Sequence, residues 1–187
     1  MSQKDRPRNE HSQWYIGAPN GVVVCVDAYD GITATGHFWH SYSEQPVAFA
    51  GLLQLSDRME WLFDWLQFPH RGTNERHFTE QQSRQPVPAG TRPGVQPERE
   101  RIVSDESLLS KHGELGTFIV RVQHRQNSSW QGRITWMEED KTVAFRSVWE
   151  MIRLMEGAIS ESEGEEGPAE ELPDWFEGPK KETKDAE

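Results

Sequence analysis

Three groups of residues carry side chains that could do chemistry. The first is His37-Phe38-Trp39-His40, whose two imidazoles invite a metal ion. Their spacing of three suits a helix, whereas on a strand the two rings point to opposite faces and cannot converge on one ion. The second is Cys25, the only cysteine. It alternates with valines in Val22-Val23-Val24-Cys25-Val26, which reads as a packed small side chain. No nearby sequence feature would lower its pKa, so it is not expected to act as a nucleophile. The third is Arg121-Val-Gln-His-Arg125 followed by Asn127-Ser-Ser-Trp-Gln-Gly132 and Arg133, where guanidinium forks and a side-chain amide could grip a nucleotide or another anion.

Two further features could bind without catalysing. Arg146 stands where its guanidinium could reach a carboxylate or phosphate, or simply bridge Glu150. Leu172, Trp175 and Phe176 form an apolar cluster in the acidic stretch Glu170-Glu-Leu-Pro-Asp-Trp-Phe-Glu177, and apolar side chains in so acidic a context gain free energy only by docking. No paired histidine, serine or carboxylate arrangement stands out, and no cofactor or metal site is implied.

The elements that must position these residues repeat. At a constant shift of 96 positions Val24 meets Val120, Gly36 meets Gly132, Val47-Ala48-Phe49 meets Val143-Ala144-Phe145, and Met59-Glu60 meets Met155-Glu156. Each stretch predicts three strands and a helix. In the first, Val22–Val26 is β-branched, Thr33–His40 alternates, Val47–Phe49 is short, and Leu52, Leu55, Met59, Leu62 and Leu66 recur at helical steps before Pro69. In the second, Phe118, Val120 and Val122 share a strand face, as do Trp130, Gly132, Ile134 and Trp136. Ser147 and Glu150 then form a capping box ahead of the stripe Val148, Met151, Ile152, Met155, Ile159. One such unit of about 45 residues has too little core to stand alone. The expected fold is α+β: an internal duplication of a β-β-β-α unit, with one six-stranded antiparallel sheet and two amphipathic helices packed on one face, or else two layers packed about a pseudo-twofold axis. Arg121, Gln123, Arg133 and Thr135 would then project from the opposite face, beside Cys25, Asp27, Thr35, His37 and Trp39 of the first unit.

Composition agrees with segregated order. Residues 160–187 hold 11 acidic residues and 3 lysines, a net −8 of the total −11, which leaves 1–159 nearly balanced at −3. The boundaries expected are a disordered N-terminus over 1–13, repeats over 14–69 and 115–159, a Pro- and Gly-rich linker over 70–114 and a disordered acidic tail over 160–187. Within the linker, 102–111 could form a short helix anchored by Ile102, Leu108 and Leu109. The first residues lack the apolar run of a signal peptide, and no stretch of about 18 apolar residues could span a membrane, so a cytoplasmic location is expected.

The arginine run and the Asn127-Ser-Ser-Trp-Gln-Gly132 run superficially resemble the two signatures of PilZ domains, which bind cyclic di-GMP. The two nearly touch here, however, and the strand order is not a PilZ barrel. The stretch Arg125-Gln-Asn-Ser-Ser-Trp-Gln-Gly-Arg-Ile-Thr-Trp136, with Phe145-Arg-Ser-Val-Trp-Glu-Met151, is similar to a signature of small bacterial proteins of unknown function. That resemblance implies a bacterial cytoplasmic protein and brings no catalytic residue.

Three functions follow as expectations. A non-enzymatic interaction or adaptor protein accounts for the duplicated scaffold, the eight tryptophans and the tail, with Leu172, Trp175 and Phe176 meeting a protein partner. A small-ligand or nucleotide sensor would use Arg121, Arg125, Asn127 or Arg133. Single-stranded nucleic acid would bind the outer sheet face, where arginines beside Trp39 could stack on bases.

Overall fold

The computed structural model describes residues 14–16, 19–73, 78, 99–126 and 129–163. Asn127 and the Leu172, Trp175 and Phe176 cluster lie outside the described residues. The alternating and β-branched runs become six strands: β1 (Val22–Tyr29), β2 (Ala34–His40), β3 (Val47–Ala50), β4 (Gly116–His124), β5 (Gln131–Trp136) and β6 (Lys141–Phe145). Three helices accompany them: α1 (Leu52–Leu66), α2 (Asp105–Leu109) and α3 (Val148–Glu163). All six strands form one antiparallel sheet in the order β3-β2-β1-β4-β5-β6.

The register obeys a simple rule. Gly36 lies opposite Phe49 and Gly132 opposite Phe145, two pairs 96 positions apart. The outer strands thus pair alike in both halves. Each half also carries one bulge at the matching place, between Val26 and Ala28 in β1 and between Val122 and His124 in β4.

One face of the sheet supports α1 and α3. Val24, Phe38, Phe49, Val120, Ile134 and Phe145 from the strands join Leu55, Met59, Phe63, Met151, Met155 and Ile159 from the helices in the main core. The helix starts are closed alike. Gln54 accepts from the Ala50 amide at 2.8 Å, and Glu150 accepts from the Arg146 amide at 2.7 Å while donating its own amide to Ser147 Oγ at 3.0 Å. The long carboxylate reaches the residue before the cap, one position beyond the capping-box geometry expected. α3 also continues to Glu163, past the end expected at Ile159, with Ser162 Oγ donating to the Ala158 carbonyl at 2.9 Å.

The other face, expected to carry the projecting Arg121, Gln123, Arg133 and Thr135, is covered at its centre. Ile16, Val23, Cys25, Leu108, Ile119 and Met137 form a second core, edged by Trp14, Trp39, Val103 and Leu109. The stretches just before β1 and before β4 supply its cover: Trp14–Ile16 in one case, Val103 and α2 in the other. Within 70–114, α2 is capped by Ser104, whose hydroxyl accepts from the Ser107 amide at 3.2 Å, and Leu108 is its buried anchor. Ile102, by contrast, is exposed. No helix among the described residues is long and apolar enough to cross a membrane.

Candidate functional site

Glu60 and Asp64 occupy successive turns of α1 and face the start of β5 across the sheet. Arg125 reaches them because the bulge after Val122 advances the alternation of β4 by one residue, turning Arg125 rather than His124 inward. Only 3% of Arg125 is exposed. Its Nη2 donates to Asp64 Oδ1 at 2.5 Å and also to Glu60 Oε1, and its Nη1 donates to the Pro69 carbonyl at 3.2 Å. Arg71 Nη2 donates to Glu60 Oε1 at 2.8 Å and to Asp64 Oδ2 at 2.6 Å, while Trp130 Nε1 donates to Glu60 Oε2 at 2.7 Å. The Phe63 ring lies 5.7 Å from the Arg125 guanidinium and 5.2 Å from the Trp130 ring. Two cations thus meet two anions, and a parallel bridge between Arg71 and Arg125 closes the group, with the Gly72 amide donating to the Arg125 carbonyl at 2.9 Å.

This cluster clamps the chain after α1 onto the far half of the sheet. Arg125 spends its Nη donors on protein oxygens, so the arrangement holds structure and does not present a guanidinium to a ligand. Glu60, Asp64 and Arg71 carry no local signature, and the separation of Glu60 from Arg125 by 65 positions hid their meeting from the sequence.

Arg121 and Arg133 are directly opposed on β4 and β5, on the other face. Arg133 is exposed. Arg121 is half-buried beneath Tyr15, its guanidinium 5.0 Å from the ring and donating to the Tyr15 carbonyl at 3.4 Å. The sheet therefore separates Arg125 from this pair. Arg146 is apart from both and bridges Glu150, Nε to Oε2, at 3.6 Å.

Trp39 is on the outer face as its alternation implies, but it is edged into the second core, with Lys111 Nζ 4.2 Å over its ring. His37 packs edge-on against it and bonds Asp27 Oδ2 through Nδ1 at 2.8 Å. Cys25 lies opposite His37, so a thiol, an imidazole and a carboxylate stand in one patch. The thiol is not activated there. Burial, then the charges of Asp27 and Glu138, push its pKa up to about 12, and no side-chain bond joins it to His37. The neutral thiol is a poor nucleophile. Among the described residues no group of three or more His, Cys, Asp or Glu side chains is gathered to hold a metal ion.

One groove opens on the helix side. Phe118, Ile134, Trp136 and Val143 form its floor, and Leu154 and Ala158 of α3 its wall, enclosing about 340 Å³. That volume lies near the low end of ligand pockets, roughly 300 to 1,000 Å³. Lys141, Arg153 and Glu161 stand at the rim. The positions 96 lower carry Trp61, Leu62 and Trp65 where the groove has Gly157, Ala158 and Glu161. Trp65 packs edge-on against Tyr42 at 5.7 Å, under the Arg99 guanidinium at 4.4 Å.

Comparison of the chain with family models, with curated proteins and with solved structures finds no match.

Proposed function

We propose that this chain is a non-enzymatic interaction protein, built by duplication of a β-β-β-α unit over 14–69 and 115–159, whose helical layer and acidic C-terminal segment engage a protein partner. The observation that carries the reading is the outward row of α1. Leu53, Trp61 and Trp65, eight and then four residues apart, remain 75%, 61% and 47% exposed, and Trp149, which is 96 positions after Leu53, is 67% exposed on α3. Single exposed apolar residues are ordinary, but tryptophans aligned along one helix are the residue type that anchors protein interfaces. The buried, protonated Cys25 speaks against a nucleophile, and Arg125, whose Nη groups bond Glu60, Asp64 and the Pro69 carbonyl, against a nucleotide pocket at the junction of the halves.

The test is capture from a bacterial lysate with tagged full-length protein. Leu53→Ala with Trp61→Ala should abolish capture of the partner and leave the melting temperature unchanged. Capture that survives this variant and is lost with Trp175→Ala and Phe176→Ala would transfer the contact to the tail alone. Capture that survives both variants, or no capture by the wild-type protein, would end the reading.

A second reading has one specific support. Arg121 and Arg133 are paired positions on the outer face, and the exposed Arg133 beside an Arg121 held at Tyr15 suits a phosphate or another anion. Binding of this kind would fall steeply with salt.

A further inference from the structure

We propose that the groove between α3 and the β5–β6 edge is the seat of this chain's own Leu172-Pro-Asp-Trp-Phe176 segment, held in cis. The proposal rests on the interaction-protein reading and adds regulation to it: the segment that would meet a partner is stored on its own fold until it is released.

The first argument is what the groove lacks. Where the first half places Trp61, Leu62 and Trp65, the second places Gly157, Ala158 and Glu161. A Cβ built at Gly157 would meet nothing within 4 Å, so the space beside α3 is open although its floor is aromatic and aliphatic. The tail supplies what has been removed. Trp175 and Phe176 are large rings, and Leu172 precedes Trp175 by three residues.

The second argument is reach. Glu161 is itself on the rim and α3 is described to Glu163. The eight residues 164–171 can span up to about 26 to 29 Å, whereas Arg153 to Glu161 along α3 covers only about 12 Å. Gly164, Gly167 and Pro168 suit a chain that turns back on the helix. A tether this short raises the local concentration of the segment to the order of millimolar, ahead of a free ligand or a second copy.

The third is charge. Glu170, Glu171, Asp174 and Glu177 flank the apolar residues, and Lys141 and Arg153 stand at the rim. Both cations are exposed and their ion pairs are long, Lys141 to Glu139 at 3.8 Å and Arg153 to the half-buried Glu156 at 3.4 Å, and such pairs exchange readily.

Hydrogen exchange of the full-length protein, followed by mass spectrometry at low and high micromolar concentration, tests this. Amides of 172–176 and of α3 over 153–161 should exchange roughly tenfold more slowly in the wild type than in Trp175→Ala with Phe176→Ala, at both concentrations. Gly157→Trp fills the groove from the helix and should release the amides of 172–176 while the protein keeps its circular dichroism and melting temperature. Equal exchange in all three proteins overturns the proposal. Protection that grows with concentration assigns the groove to a second copy and overturns it too. So does protection of α3 that survives the tail variant and disappears after unfolding and refolding, which marks a co-purified small molecule. None of these outcomes depends on capture of a partner, so the interaction reading stands or falls separately.

Discussion

Val23 and Ile119 lie directly opposite each other in the β1–β4 pair and are themselves 96 positions apart. The same 96-position offset therefore carries the neighbouring pair Val22–Val120 onto Phe118–Val24, which is also a pair in the sheet. Antiparallel pairing admits a local twofold axis through one such residue pair. Here that axis runs between two β-branched side chains facing the second core.

Replacing Arg125 by methionine should destabilise the protein by about 3 to 5 kcal/mol, because it removes one partner of a buried ion pair and leaves Arg71 as the one cation of the cluster facing Glu60 and Asp64. Urea denaturation followed by circular dichroism measures this. A loss near that of an exposed pair, about 0 to 1 kcal/mol, would show that the clamp contributes little.

Gly36→Ala and Gly132→Ala should each cost about 1 to 3 kcal/mol, and by similar amounts. A Cβ at these positions would lie 2.1 Å from the Cys25 carbonyl oxygen and 2.0 Å from that of Arg121, with the Phe49 and Phe145 rings 3.1 and 2.8 Å away. In both halves a phenylalanine ring covers a strand glycine, a contact only glycine admits. Thermal melts of the two variants side by side decide the matter.

Gly157→Ala should act in the opposite direction. The position is inside α3 and a Cβ there meets no atom within 4 Å, so alanine adds helix propensity at no steric cost. The expected gain is about 0.5 to 1 kcal/mol, read as a higher urea midpoint with an unchanged slope.

Cys25 should resist a maleimide at pH 8 in the native protein and react at once in denaturant, since its folded pKa is about 12. The sign of its pH effect follows. The unfolded thiol ionises near 8.5, so between about 8.5 and 12 the unfolded chain has lost a proton that the folded chain retains, and stability falls as pH rises through that window. Melting temperatures measured from neutral to alkaline pH should decline less steeply in Cys25→Ala than in the wild type.

Local periodicity made much of the fold legible. The stripes of α1 and α3 and the inward faces of β4 and β5 are short-range patterns, and the buried residues follow them. The outer face is less legible, because the alternation of Arg121, Gln123 and Arg133 speaks for solvent, yet the centre of that face is covered. A usable signal was present: Val22–Val26 and Phe118–Val120 are continuous apolar runs, the mark of a strand buried on both sides. The Arg125 cluster had no such signal. Its orientation depends on a one-residue bulge, and its carboxylates and second arginine come from the far half of the chain. Arg125 was therefore legible as a special arginine and illegible as an internal one.

The sheet order has a consequence for synthesis on the ribosome. The inner edge of β1, Val22–Val26, pairs with Gly116–Val120, whose first residue is made 94 residues after Val22. At roughly 5 to 20 residues per second, the most apolar strand of the nascent chain spends about 5 to 20 s with one row of amides and carbonyls unmatched. During that interval the emerging half is a sticky template for any other extended chain, so the demand for chaperone protection falls on translation of residues 27–115 rather than on the finished protein.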